Sequence, residues 1–184
     1  MAVLGSDYWG TPTDICVGII HFLQGYREIS WGQYYDLDCC ANLFNTKVQD
    51  NFISEEQDAM KTNWNGKRVW CNPPYSRGNV DRFVNRAIEM TSTAPLMDVI
   101  MLINVDPSTK YFKRIVEHAK AIVYVTSGRI DFIDPNTMQP SKSPKKPNMF
   151  VLFSSSKRPD EFVRTYYADL SFLRSLANDN STNA

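Results

Sequence analysis

The sequence has no excess of charge of either sign, few histidines and no long apolar segment. Its 184 residues carry 20 basic and 20 acidic side chains, and this balance argues against a protein that binds nucleic acid through bulk positive charge. No apolar run approaches the roughly 18 to 20 residues that cross a bilayer. The first residues lack the basic and apolar regions of a signal peptide. We therefore expect a cytoplasmic protein with no membrane partner.

Cysteine and histidine are too sparse for a metal site or a disulfide framework. Four cysteines match no metal-ligand spacing, and only two histidines accompany them. We expect no bound metal. No internal repeat is visible, and the length suits one domain, which we assign to residues 1–177 with a disordered tail at 178–184. The cysteines are Cys16, Cys39, Cys40 and Cys71.

One local concentration of positive charge stands out within the neutral chain. The segment from Pro140 to Arg158 contains five basic residues and no acidic one. Such a segment is either a solvated loop or a surface for an acidic partner, and the sequence leaves both interpretations open. The basic residues are Lys142, Lys145, Lys146, Lys157 and Arg158.

Strand and helix patterns alternate along the chain. This alternation predicts an α/β fold with a mostly parallel sheet flanked by helices. The late strands follow one another without a helix, so we expect an antiparallel pairing near the C-terminal edge. The predicted strands are 33–41, 67–71, 98–105, 121–126, 129–133 and 149–153. The predicted helices are 12–25 with Thr11 as N-cap, 54–64, 79–90, 107–119 and 159–176.

The tetrapeptide Asn72-Pro73-Pro74-Tyr75 directly follows the strand pattern KRVWC. Two prolines end a strand and fix a rigid turn, since each restricts φ and neither donates a ladder hydrogen bond. In open α/β sheets, ligands bind beyond the carboxyl ends of strands, where this turn falls. The sequence therefore places a candidate site here, against the simpler interpretation of a structural turn.

These residue types suit chemistry at a nucleobase amine, whose lone pair is delocalised into the ring. The Asn72 side-chain oxygen and the Pro73 carbonyl can each accept one amine hydrogen, which draws the nitrogen toward a tetrahedral geometry. Tyr75 offers a flat face for a base taken out of the stack. No general base is required before attack.

Several motifs of the chain together resemble the phage-encoded adenine-N6 DNA methyltransferases, often called Dam. NPPY alone is shared with other amine and amide methyltransferases, whereas its combination with WxTP and an LDxAA-like segment is more specific. The resemblance covers roughly residues 7 to 153. The motifs are DYWGTP at 7–12, DLDCCAN at 36–42, DAM at 58–60, Trp64, VWCNPPYS at 69–76 and GRIDF at 128–132.

The resemblance implies a single-domain class I, Rossmann-like fold and S-adenosylmethionine as methyl donor. It implies that Asp38, with Asp36, holds the methionine ammonium or counters the sulfonium charge. Asp58 corresponds to the acidic residue that reaches the adenine amine of the cofactor. The segment with Trp9, Thr11 and Pro12 corresponds to the part that closes on the cofactor. The implied catalytic residues are Asn72, Pro73, Pro74 and Tyr75.

One departure from the wider methyltransferase pattern affects cofactor binding. No glycine-rich loop follows Asp38, where the chain has Cys39-Cys40-Ala41. Little sequence separates Asp38 from Asp58, which leaves little room for a ribose-binding strand and helix. Asp50 is then either a ribose ligand or a surface residue.

The predicted function is methylation of the N6 amine of adenine in double-stranded DNA, by a monomer or homodimer. The loop from Pro135 to Asn148 is the predicted DNA contact. The alternatives are cytosine N4 methylation, methylation of RNA or of a protein glutamine amide, and a catalytically silent DNA-binding protein. The predicted DNA-binding residues are Arg129, Lys142, Lys145 and Lys146.

Overall fold

The computed structural model describes residues 5–76, 78–141 and 146–179. Within these ranges the chain forms helices α1 (Thr13–Gly25), α2 (Asn79–Thr93), α3 (Lys110–His118) and α4 (Leu170–Asp179), and a short 3₁₀ helix at Ser6–Tyr8. The strands are β1 (Leu37–Asp38), β2 (Arg68–Cys71), β3 (Asp98–Asn104), β4 (Ala121–Thr126), β5 (Ile133–Asp134), β6 (Gln139–Pro140), β7 (Asn148–Ser154) and β8 (Arg164–Asp169).

Six strands form one mostly parallel sheet in the order β1-β2-β3-β7-β4-β8. Strands β1, β2 and β3 pair in parallel, and β8 pairs in parallel with β4. Strand β7 runs antiparallel to both of its neighbours, β3 and β4. The α/β class and the mostly parallel sheet are therefore confirmed. The remaining strands, β5 and β6, form a small antiparallel hairpin.

The predicted antiparallel pairing of the late strands is confirmed for β4 and β7. Its predicted place at the edge is wrong, because the antiparallel strand lies inside the sheet. The described residues between β4 and β7 form no helix, and the chain returns alongside β4 in the opposite direction. It inserts between β3 and β4, and β8 then forms the edge of the sheet.

Helices cover both faces of the sheet and give the protein two apolar clusters. Along β7, Met149, Val151 and Phe153 join the cluster beneath α2 and α3, whereas Phe150 and Leu152 join the cluster beneath α1 and α4. This alternation follows from the two-residue period of a strand. A strand buried on both faces is apolar throughout, which explains the apolar runs of β3 and β7.

Helices α1 and α4 pack against each other at a glycine. A Cβ atom added at Gly18 would lie 2.0 Å from the carbonyl oxygen of Leu173. The absence of a side chain is therefore what lets the two backbones approach this closely.

The predicted helix over 159–176 is wrong in its first half. Residues Arg164–Asp169 form β8, which pairs with the whole of β4. The segment contains strand-favouring threonine and tyrosine, and the open edge of β4 supplies backbone partners. Helix α4 begins after Asp169, whose Oδ1 accepts hydrogen bonds from the backbone N–H groups of Ser171 and Phe172. It continues to Asp179, two residues into the predicted tail, and 180–184 lie outside the described residues.

The predicted helix at 54–64 is also wrong, since this segment forms turns. Asp58 adopts a left-handed conformation with φ of 55°, which interrupts a helix. Its Oδ1 accepts the backbone N–H of Met60 at 3.0 Å. A carboxylate that bonds its own backbone two residues ahead favours a turn over a helix.

Four further boundaries differ from prediction. Of the predicted strand 33–41, only Leu37–Asp38 forms a strand. Helix α1 begins at Thr13, and the Thr11 hydroxyl is buried without a hydrogen-bond partner instead of capping the helix. Helix α3 begins at Lys110, because Asp106 instead forms a turn with Ser108. Of the predicted strand 129–133, only Ile133 enters a strand, where it exchanges backbone hydrogen bonds with Gly10 at 2.8 and 2.9 Å.

No helix in the described part of the chain is both long enough and apolar enough to cross a membrane.

Candidate active site at the carboxyl edge of the sheet

The Asn-Pro-Pro-Tyr turn leaves the carboxyl end of β2 and lies between two cavities. The larger cavity has a volume of about 380 Å³ and is bordered by Pro74. The smaller has a volume of about 240 Å³ and is bordered by Asn72, Pro73 and Tyr75. Asp7 borders both. The turn therefore places Asn72 and Pro73 at the smaller cavity, while Pro74 forms part of the wall of the larger one.

The Asn72 amide is held by bonds on both sides. Its Nδ2 donates to the backbone carbonyl of Trp9 at 3.3 Å, which sets the amide orientation. The Tyr75 hydroxyl lies 3.2 Å from Asn72 Oδ1 and 3.0 Å from the carbonyl oxygen of Leu102. An amide oxygen has two lone pairs, so Asn72 Oδ1 can still accept an amine hydrogen from the cavity.

Aromatic side chains form one wall of the smaller cavity. The rings of Tyr75 and Phe132 lie 6.2 Å apart at 68°, an edge-to-face arrangement, and Trp9 borders the same space. Burial raises the pKa of Tyr75, so its hydroxyl stays neutral. A cavity with flat aromatic walls and a few polar groups suits a planar heterocycle.

The larger cavity combines apolar walls with carboxylates. Its volume falls within the roughly 300–1,000 Å³ typical of small-molecule sites. Asp58 borders it, and the pKa of this carboxyl is lowered by the Met60 backbone N–H and by Lys61, whose Nζ lies 3.2 Å away. The apolar side chains are Ile53, Ala59, Met60 and Phe83, and the carboxylates are Asp7, Glu55 and Asp58.

The 3₁₀ helix at Ser6–Tyr8 is bonded to the loops that border the larger cavity. The Tyr8 hydroxyl donates to Glu55 Oε2 at 2.6 Å, and the Asn45 side chain donates to the Tyr8 carbonyl at 3.1 Å. Asp7 Oδ1 accepts the backbone N–H of Ser76, directly after the NPPY turn, at 3.0 Å. This segment links the two cavities to the NPPY turn.

Sequence reasoning assigned no role to Asp7, Tyr8 or Glu55. The only available signals were the position of Asp7 and Tyr8 within DYWGTP and the proximity of Glu55 to Asp58. Neither indicates that the N-terminal segment crosses to the loops after β1 and β2.

Asp38 lies at the end of β1, as predicted, but its side chain points into the protein. Its oxygens accept the backbone N–H groups of Lys47 at 2.8 Å and Cys40 at 3.3 Å. Burial raises its pKa to about 6, against the lowering effect of these N–H groups and of the Lys47 charge. Asp38 therefore shapes the loop whose residues Cys39 and Cys40 border the larger cavity.

Asp36 is placed at the opposite end of β2, away from the turn. Its Oδ1 accepts the backbone N–H groups of Lys67 and Arg68 at 2.9 and 2.8 Å, and its Oδ2 pairs with the Arg68 guanidinium at 3.2 Å. Asp36 is not among the described residues that border either cavity. These contacts give it a role in aligning β1 with β2.

The other predicted residues are distributed unevenly around the site. Trp9 borders the smaller cavity and not the larger, whereas the buried Thr11 and the adjacent Pro12 border neither. Among the predicted DNA-binding residues, Lys146 borders the smaller cavity and pairs with Asp106 at 3.8 Å. Arg129 is exposed. Lys142 and Lys145 lie outside the described residues.

The described ranges contain no group of three or more histidine, cysteine, aspartate or glutamate side chains arranged to hold a metal ion.

An α/β sheet that carries an Asn-Pro-Pro-Tyr turn between two cavities at its carboxyl edge is typical of amine-directed methyltransferases. A family model described as DNA N-6-adenine-methyltransferase (Dam) matches residues 3–174. The DNA N-6-adenine-methyltransferase of Haemophilus phage HP1 (strain HP1c1) is 42% identical over 165 residues, which cover 90% of this chain and 88% of that protein. The chain belongs to the Dam family of DNA N-6-adenine-methyltransferases.

A second relative is less similar and longer. The DNA N-6-adenine-methyltransferase of Escherichia phage T1 is 36% identical over 131 residues, which cover 71% of this chain and 49% of that protein. No solved structure matches the chain significantly.

Proposed function

We propose that this chain transfers the methyl group of S-adenosylmethionine to the N6 amine of adenine in double-stranded DNA. The observation that carries the proposal is the NPPY turn, in which Asn72 borders a base-sized cavity while Pro74 borders a cofactor-sized one. Family membership supports the substrate. We also propose that the domain is a single class I, Rossmann-like methyltransferase domain. Its support is a sheet in which five of the six strands run in one direction, with the site at the carboxyl ends of these strands.

The residues of the larger cavity fit S-adenosylmethionine. This cofactor supplies, when bound, a methyl group on a positively charged sulfur. Ile53 and Phe83 offer apolar surface to an adenine ring, and the Asp58 carboxylate can accept hydrogen bonds from its amine. Asp7 and Glu55 provide negative charge for the cationic part. Asp38 adds to this field from behind Cys40.

The structure shifts the proposed role of the N-terminal segment. Asp7 and Tyr8, rather than Thr11 and Pro12, border the larger cavity. Trp9 borders the smaller cavity, where we place the base. Thr11 and Pro12 position the start of α1. Asp36 keeps a structural role at the far end of β2.

The proposed chemistry at the base uses hydrogen-bond acceptors in the smaller cavity. Adenine leaves the stack and enters between aromatic side chains that include Tyr75 and Phe132. The Asn72 Oδ1 atom and the Pro73 carbonyl accept the two amine hydrogens, which localises the nitrogen lone pair for attack. Holding the amine in line with the methyl donor and excluding water supply most of the rate enhancement.

DNA binding is proposed at the rim of the smaller cavity. Lys146 borders this cavity, and Lys142 and Lys145 precede it in sequence. A phosphate beside the extruded nucleotide would meet the Lys146 ammonium group, since phosphate contacts supply most of the affinity of DNA-binding proteins. Arg129 is a further proposed contact. We propose that the protein acts in the cytoplasm of a bacterium infected by a phage, in keeping with its phage relatives.

The proposal is tested by product identification. The purified protein is incubated with unmethylated double-stranded DNA and labelled S-adenosylmethionine, and the DNA is digested to nucleosides. We expect N6-methyladenine, and Asn72→Ala should reduce the rate about 100-fold or more, as loss of a preorganised transition-state contact does. Asn65→Ala, at an exposed position away from both cavities, is the matched control and should retain full activity.

Other products would change the assignment. Labelled N4-methylcytosine would retain the mechanism and replace the substrate. Cofactor binding without label in any DNA base would direct the search to RNA or protein amides. Absence of both binding and turnover would indicate a catalytically silent protein.

A further inference from the structure

The smaller cavity contains a second amide side chain, Asn104, for which the proposed mechanism has no role. Asn104 is the last residue of β3, and its strand pairs with β2, which continues into the NPPY turn. It is half-buried and borders the same space as Asn72. Carboxamides at adjacent strand ends therefore face one cavity.

A chain of hydrogen bonds fixes the orientation of the Asn104 amide. The backbone N–H of Ile130 donates to Asn148 Oδ1 at 3.4 Å, and Asn148 Nδ2 donates to Asn104 Oδ1 at 3.2 Å. A backbone N–H can only donate, so Asn148 presents its oxygen to Ile130 and its NH₂ group to Asn104. Asn148 is 1% exposed, and burial makes this network costly to rearrange. The Asn104 amide is thereby oriented with its oxygen toward Asn148, and its NH₂ group is left for the cavity.

We propose that the Asn104 NH₂ group donates a hydrogen bond to a ring nitrogen of the extruded base, next to the amine that is methylated. This inference rests on the proposed function. Asn72 Oδ1 and the Pro73 carbonyl are acceptors, and they complement the amine hydrogens only. Adenine has a bare ring nitrogen on each side of its amine, N1 and N7, and each is an acceptor. A donor beside two acceptors completes the match.

The same arrangement excludes bases of the opposite pattern. Guanine and thymine carry a carbonyl oxygen where adenine has its amine, so acceptors would face an acceptor. Each also has a ring N–H where adenine has N1, so a donor aimed at that position would face a donor. A buried polar group left without a complementary partner costs binding energy. Asn104 thus selects for a base with an amine beside a bare ring nitrogen, which is a stronger requirement than the NPPY turn imposes alone.

Three other donors at this cavity have partners elsewhere. The Asn72 Nδ2 group donates to Trp9, and the Tyr75 hydroxyl is directed at Leu102 and Asn72. Lys146 pairs with Asp106 at 3.8 Å, and its long side chain suits a phosphate at the rim. The Asn104 amide is oriented by Asn148 with its oxygen, which leaves its NH₂ group for the base.

The test measures single-turnover methylation of an oligonucleotide with one target adenine, located beforehand by mapping methylated positions. The adenine is replaced by 1-deazaadenine, 7-deazaadenine or, as a control, 3-deazaadenine. We expect the wild type to lose about tenfold or more on either the 1-deaza or the 7-deaza base. Asn104→Ala should lose a similar factor on adenine and show no added loss on that analogue.

Comparing the two enzymes removes the altered reactivity of the analogue, because that effect is the same for both. Asn104→Asp is a second variant, since its carboxylate still accepts from Asn148 but offers no donor to the base. It should fold like the wild type in thermal unfolding and lose activity on adenine. Asn148→Asp keeps the acceptor for Ile130 and cannot donate to Asn104, so it should weaken the analogue effect.

The outcomes separate this inference from the proposed function. If Asn104→Ala retained the full analogue penalty, or if the wild type methylated all three analogues as it does adenine, Asn104 would have no base contact. A wild type that methylates no adenine at all would instead overturn the proposed function. A Lys146→Ala variant should lose activity equally on every substrate. Loss of the analogue effect in that variant alone would assign the donor to Lys146.

Discussion

At the scale of single residues, Asp38 shows burial outweighing hydrogen bonding. Its carboxyl is 2% exposed, and although two backbone N–H groups and the Lys47 charge favour the ionised form, burial raises the pKa to about 6. Removing a carboxylate from water costs more than these contacts return. The Asp38 carboxyl is therefore ionised at neutral pH, and its ionisation lowers the free energy of unfolding.

The raised pKa of Asp38 predicts that the stability of the protein depends on pH. Because the folded pKa of Asp38 exceeds its ordinary value of 3.8, the folded state binds more protons between the two values. The contribution of Asp38 protonation to the free energy of unfolding is fully present below pH 3.8. It is lost as the pH rises through 6, which lowers the free energy of unfolding by about 3 kcal/mol. Asp38→Asn removes this titration.

Urea unfolding of the wild type and Asp38→Asn at pH 4.5 and pH 7.5 measures the effect. The asparagine also loses one acceptor, but that loss is the same at both pH values. We expect the stability of the variant relative to the wild type to increase with pH. Parallel pH profiles for the two proteins would show that Asp38 does not titrate in this range.

At the scale of elements, the N-terminal segment closes the larger cavity from outside the sheet. The bond from the Tyr8 hydroxyl to Glu55 spans 47 positions of sequence and closes one side of this cavity. Tyr8→Phe keeps the ring and removes the bond. We expect it to weaken S-adenosylmethionine binding about fivefold, the usual contribution of one hydrogen bond, with little change in the rate at saturating cofactor.

Isothermal titration with S-adenosylmethionine, alongside turnover at saturating cofactor, tests the role of this bond. Tyr34→Phe is the matched control, since Tyr34 is 72% exposed and borders neither cavity. Equal cofactor affinities for Tyr8→Phe and the wild type would mean that the segment does not act on the cofactor.

The elements that the sequence predicts well are those in which local pattern and tertiary packing agree. Helix α2 and strands β2, β3, β4 and β7 have strong periodicity and form close to their predicted bounds. The errors arise where a distant partner decides. Strand β8 needs the open edge of β4, and residues 54–64 contain the left-handed turn at Asp58. Neither partner nor backbone angle is visible in a local window.

The same distinction applies to the site. Asn72, Pro73 and Tyr75 are contiguous with a strand end, so topology alone places them at the ligand edge. Asp7 contacts Ser76, next to the NPPY turn, from 69 positions away in sequence, and Asn104 is one polar residue at the end of an apolar strand. Their importance depends on which strands become neighbours, and local sequence patterns do not reveal that order.

At the scale of the whole molecule, the charge balance determines how DNA must be bound. With equal numbers of acidic and basic residues, the protein has no general attraction for phosphate, so any affinity must come from a local arrangement. Lys146 borders the smaller cavity and belongs to the basic segment between Pro140 and Arg158. Phosphate contacts release counterions, so the logarithm of the DNA affinity falls linearly with the logarithm of the salt concentration. Each contact adds about 0.9 to the magnitude of this slope.

Charge reversal at Lys146 is therefore expected to act through this slope. Lys146→Glu should lower DNA affinity and reduce the slope of log affinity against log salt by about one, and reversing Lys142 and Lys145 as well should reduce it further. Lys113→Glu, on the exposed face of α3, changes the net charge equally and is the control. Fluorescence anisotropy across a salt series measures both quantities. If Lys146→Glu and Lys113→Glu shifted affinity and slope alike, the effect would come from net charge, and the loop would not be the DNA contact.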